Sequence, residues 1–81
     1  MNIISISPNP VVSEIRIQIM EIRGEFKVYI INSNGQTVAK EIWNSSSELQ
    51  KRINVSGYNR GIYYVKIFND QVSIVKKVVL L

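Results

Sequence analysis

Apolar and polar residues alternate with period two along most of the chain, the pattern of strands with one face covered and one wet. Ile15, Ile17 and Ile19 alternate with Glu14, Arg16 and Gln18. Phe26, Val28 and Ile30 fall on one side of the next run, with Lys27, Tyr29 and Ile31 on the other. Leu49, Ile53 and Val55 share a face, with Lys51 between them, and Tyr63, Val65 and Ile67 form the inner face of the most apolar run. The pattern predicts strands over residues 2–7, 14–19, 26–31, 37–43, 49–55, 62–68 and 72–81. Punctuation between them is equally regular. Pro8-Asn9-Pro10 stops the first strand, because proline cannot donate to a ladder. Arg23-Gly24-Glu25 reads as a turn, and Asn44-Ser45-Ser46-Ser47 as a polar loop. Asn34-Gly35 predicts a two-residue type I′ hairpin, whose central positions both need positive φ. An irregular connection spans Ser56 to Gly61, and Asn69-Asp70 turns into the last strand.

Seven short strands with turn signals every 8–12 residues have the spacing of a sandwich or barrel. No segment sustains a 3.6-residue period, and there is no linker or low-complexity tract. Composition agrees: Ile and Val number 24 against 4 Ala and Leu, and branching at Cβ favours a pleated surface over a helix. The 81 residues predict one small domain with a thin core. No apolar run approaches the roughly 18 residues of a membrane span, and the start lacks the features of a signal peptide. Met1 leads almost directly into a strand, as in a domain cut from a longer protein.

Candidate chemistry is sparse. The chain has no cysteine and no histidine, which removes disulfides, thiolate sites and the commonest general base and zinc ligand. The six acids mostly alternate with apolar residues and read as solvent-facing strand positions rather than a converging pair. Gly57 and Gly61 match no phosphate-binding fingerprint, and no acidic cluster resembles a calcium loop. The expectation is a protein that is not an enzyme and uses no metal or cofactor. The net charge of +4 raises nucleic-acid binding as a rival. Against it, the charge is spread thinly, and aromatics are not expected to interleave with basic residues on one strand face. A carbohydrate or cell-surface adhesion module is the other rival, and it would gain from a solvent-facing platform of Trp43, Tyr29 and Tyr64.

Four segments occur in a telling order: Ile6-Ser7-Pro8-Asn9-Pro10, followed by a strand such as Glu14 to Ile19; the strand–turn–strand from Phe26 to Val38; Ile53-Asn54-Val55-Ser56-Gly57-Tyr58-Asn59-Arg60-Gly61-Ile62-Tyr63-Tyr64-Val65-Lys66-Ile67; and Val75-Lys76-Lys77-Val78-Val79. Across essentially all 81 residues this order resembles the type A C-terminal sorting domain of the type IX (Por) secretion system. The resemblance implies an Ig-like antiparallel β-sandwich of about seven strands, following a larger N-terminal cargo. It implies a signal read by an outer-membrane translocon after passage through the periplasm. A sortase-like peptidase then removes it, leaving the cargo released or attached at the cell surface. No nucleic acid is implied, and the oligomeric state is left open.

Position by position, Pro8, Asn9 and Pro10 match the entry motif of the family, and Gly35 its hairpin glycine. Gly61 and Tyr63 match its Gly-x-Tyr motif, for which core packing with the hydroxyl at the rim competes with receptor contact. Lys76 and Lys77 match the basic pair of its last strand, where protection of a sheet edge competes with contact to the translocon. Tyr58 and Asn59 depart from the Leu and Pro usual at those places, and the Asn69-Asp70 turn is short for the family.

Overall fold

The computed structural model describes residues 4–7 and 13–81. Pro8, Asn9 and Pro10 lie outside the described residues. Seven strands form: β1 (Ile4–Ser7), β2 (Glu14–Met20), β3 (Gly24–Asn32), β4 (Thr37–Ser45), β5 (Glu48–Asn54), β6 (Gly61–Phe68) and β7 (Ser73–Leu80). All pairings are antiparallel. One sheet has the order β1-β2-β5 and the other β4-β3-β6-β7. Consecutive strands that change sheet, β2 to β3, β4 to β5 and β5 to β6, make this an Ig-like sandwich, as expected.

The inner faces are the apolar ones predicted by the alternation. Ile15, Ile17 and Ile19 of β2 meet Phe26, Val28 and Ile30 of β3 and Val65 and Ile67 of β6 in one cluster, each at most 2% exposed. Each such side chain contributes about 1.5–3 kcal/mol by leaving water. That burial is what holds two sheets together in a domain without a disulfide.

The crossings between sheets required local devices that the pattern did not reveal. The turn expected at Arg23-Gly24-Glu25 lies earlier, because Gly24 and Glu25 already belong to β3. Glu21 adopts φ 64°, and its N–H donates to the Ser47 carbonyl at 2.8 Å. Ser45, expected in a loop, ends β4 instead, buried, with its Oγ donating to the Ile22 carbonyl at 2.8 Å. The two crossings are therefore stapled to each other. A buried serine is tolerated here because its hydroxyl is paired.

The hairpin at Asn34-Gly35 forms with a different turn. Gly35 N–H donates to the Asn32 carbonyl at 3.0 Å around Ser33 and Asn34, neither of which has positive φ. Gly35 alone does, at 84°. Asn32 N–H donates to the Gln36 carbonyl at 2.9 Å, closing a three-residue loop. This is a type I turn followed by a left-handed glycine, not type I′. The Asn32 carboxamide decides it, its Oδ1 accepting the N–H groups of Asn34 and Gln36.

Candidate functional site

The sequence-predicted residues do not converge on one pocket. Asn32 pairs with Tyr63, and Gly61 with Leu80. The Gly35 hairpin, the Gly61 corner and the end of β7 thus share one end of the larger sheet. Lys76 and Lys77 lie midway along β7, opposite Val65 and Tyr64.

Gly61 and Tyr63 build a tyrosine corner. Gly61 opens β6 at φ 137°, a conformation closed to most side chains. Two residues on, the Tyr63 ring enters the core, and its hydroxyl donates to the Asn59 carbonyl at 2.6 Å. This ties the β5–β6 connection to the strand that follows it, the arrangement that Ig-type sandwiches use at the same corner. The Tyr58 ring lies 5.8 Å from that of Tyr63. Burial, then the Glu41 carboxylate and Tyr63, push the Tyr58 phenol above its ordinary pKa. Arg60 bolts the same connection to the closing strand: its guanidinium donates to the carbonyls of Ser56 at 2.8 Å, Val55 at 3.2 Å and Leu81 at 3.3 Å.

The basic pair splits across the sheet. Lys77 faces outward beside Tyr64, whereas Lys76 occupies the inward register, aligned with buried Ile67, Val78 and Leu80 and opposite Val65. It remains exposed because β7 is an edge. Glu41 on β4 and Lys51 on β5, the edges of the two sheets, hold the same kind of position, opposite buried Val28 and Ile17. An inward-aimed charge on an edge strand makes pairing with another chain costly.

The outward face of the larger sheet holds what the sequence reading missed. Along β3 Lys27 alternates with Tyr29, and along β6 Tyr64, Lys66 and Phe68 follow at alternate positions. Register aligns Tyr29 with Lys40 on one side and Lys66 on the other, Lys27 with Phe68, and Tyr64 with Lys77. Aromatics and lysines therefore do interleave on one face, contrary to expectation. The signal was present as alternation within β3 and β6, but the neighbours across strands depend on register. Lys40 Nζ lies 5.3 Å from the Tyr29 ring centre, and Lys66 Nζ lies 4.8 Å from that of Phe68. The two rings meet edge to face at 5.1 Å. Trp43 has no part in this face: it is 4% exposed, on the inward side of β4, and its indole N–H donates to Glu41 Oε1 at 2.9 Å. The platform of Trp43, Tyr29 and Tyr64 does not form.

The smaller sheet's outward face is balanced by comparison, with Glu14 and Glu48 beside Arg16 and Arg52. Glu14 and Arg52 approach to 3.8 Å in the open, a contact worth little. A shallow cleft of about 360 Å³ lies where Arg23, Glu25 and Lys27 approach Asn69 and Asp70. Among the described residues no group of three or more acids, cysteines or histidines could hold a metal ion.

A family model described as a secretion system C-terminal sorting domain matches residues 5–81. A search of curated proteins finds no match.

Proposed function

The chain belongs to the family of secretion system C-terminal sorting domains, type IX, and on that premise we propose that it is the non-catalytic tail that carries an attached cargo across the outer membrane. The observation that carries this reading is the family match over residues 5–81, nearly the whole sandwich. Recognition is by an outer-membrane translocon that reads the folded sandwich, with the exposed edge strand β7 and its Lys76 and Lys77 as contact candidates. Transit runs through the periplasm. A sortase-like peptidase then separates tail from cargo, which is released or held at the cell surface. Pro8, Asn9 and Pro10, between β1 and β2 in the sequence, match the entry motif of the family and are further contact candidates.

The test is a fusion of a signal peptide and a reporter enzyme to residues 1–81, expressed in a bacterium that has the type IX system. Reporter outside the outer membrane supports the reading; reporter retained in the periplasm of that host, with the fusion intact, refutes it. In the same assay, Lys76→Ala with Lys77→Ala is expected to reduce export at unchanged expression.

A further inference from the structure

We infer that the outward face of the β4-β3-β6-β7 sheet is a docking surface for an anionic lipid bilayer, an inference that does not depend on the sorting reading. Charge is the first argument. Lys27, Lys40, Lys66 and Lys77 all lie on this face, and Glu25 is the one acid at an outward position of its strands; at the same end Asp70, in the β6–β7 turn, shares a cleft with Arg23, which offsets it. Four cations less one acid place three of the four net positive charges of the chain on one side of the molecule. The rest of the chain is close to neutral, so the molecule is electrically two-faced.

Exposed apolar side chains on the same face are the second argument. Ile42 is 62% and Val75 57% exposed, with Ile62 at 39%. Ile42 and Val75 stand on the two edge strands, so aliphatic tips flank Lys27 and Lys66 of the two central strands. The third argument is which kind of anionic partner fits. Stacking of bases or sugars needs open ring faces. Tyr29 and Phe68 turn edge to face toward each other, each with a lysine over its ring. Tyr64, 36% exposed, is the one further ring on this face, and the side chains that protrude most, Ile42 and Val75, are aliphatic. Lysine is a compact, strongly hydrated charge that protein interfaces tend to exclude and that snorkels readily to lipid phosphates. Aliphatic tips that enter the acyl boundary, with lysines around them at headgroup level, are the chemistry of a bilayer surface.

The experiment is co-sedimentation of the whole chain with vesicles of phosphatidylglycerol and phosphatidylcholine in equal parts, against vesicles of phosphatidylcholine alone. Binding to the first and not the second is expected, weakening with added salt. Lys40→Gln with Lys66→Gln is expected to lower partitioning about fivefold for each lysine removed. Arg16→Gln with Arg52→Gln, which remove the same charge from the outward face of the smaller sheet, should leave most of it. Ile42→Ser with Val75→Ser, which keep the charge, should lower it about tenfold together. Absence of binding to the anionic vesicles overturns the inference, as does equal loss in the two charge-removing pairs. Binding of a single-stranded oligonucleotide or a polyglutamate peptide at a salt concentration where vesicles are not bound also overturns it, assigning the face to that partner. Circular dichroism checks that each variant keeps the β signature of the parent.

Discussion

Replacing Tyr63 with Phe tests the corner on which the β5–β6 connection depends. The substitution keeps the buried ring and removes only the hydroxyl, which donates to the Asn59 carbonyl at 2.6 Å. A neutral hydrogen bond of this kind contributes about 0.5–1.5 kcal/mol net. Asn59 is exposed, so water can reach its carbonyl once the donor is gone, and the full penalty of a buried unpaired acceptor does not apply. The expected loss is about 1 kcal/mol. For a domain of this size that corresponds to a fall in Tm of about 4–8 °C. Tyr63→Ala removes the ring as well, together with its packing against Tyr58, and should cost about 3–5 kcal/mol. Thermal and urea unfolding followed by circular dichroism, analysed as two-state, measure both. A Tyr63→Phe protein that melts with the parent would refute the view that the hydroxyl fastens the corner. A Phe variant as unstable as the Ala variant would refute the division between ring and hydroxyl. Because the hydroxyl is turned to the chain's own backbone, Tyr63→Phe is expected to be exported like the parent well below its Tm.

Three further outcomes follow from the same geometry. Gly61→Ala should lose about 1–3 kcal/mol by backbone strain alone, since φ is 137° and an added Cβ would touch nothing; Gly57→Ala, four residues earlier and equally open, should be neutral or stabilising by up to about 1 kcal/mol in the same unfolding assay. Tyr58 has its pKa raised in the folded chain by burial, then by Glu41 and Tyr63, so its contribution is complete below the unfolded value of 10.0 and is lost as pH rises through the higher folded value. Stability should therefore fall as pH rises above 10.0, and more gently in Tyr58→Phe, as urea midpoints measured across that range will show. Lys76→Val would complete an apolar row with Ile74, Val78 and Leu80 on an open edge, and concentration-dependent association by light scattering is expected; Lys77→Val, on the outward face, should produce less, and equal association would refute the role of the inward charge.

Strand number, strand limits to within a few residues, and the inward face of nearly every strand were legible in the chain, because each depends on the alternation of near neighbours. The Ile15-Ile17-Ile19 and Tyr63-Val65-Ile67 faces needed no knowledge of what lay opposite. Turn chemistry was legible only in part. Asn34-Gly35 marks a hairpin in either turn type, and the choice fell to the Asn32 side chain, which satisfies two backbone N–H groups of the loop. Ser45 reads as a loop residue until the Ile22 carbonyl, 23 positions away, is brought to its hydroxyl. The order of the strands, the edge positions that give Glu41, Lys51 and Lys76 one shared place, and the gathering of Lys27, Lys40, Lys66 and Lys77 on one face come from pairing between distant segments. A one-residue slip of β4 or β7 against its neighbour would send Lys40 or Lys77 to the other side. Register is set by burial of the opposite face, so the outward pattern, from which the charge asymmetry arises, follows only once the core has closed.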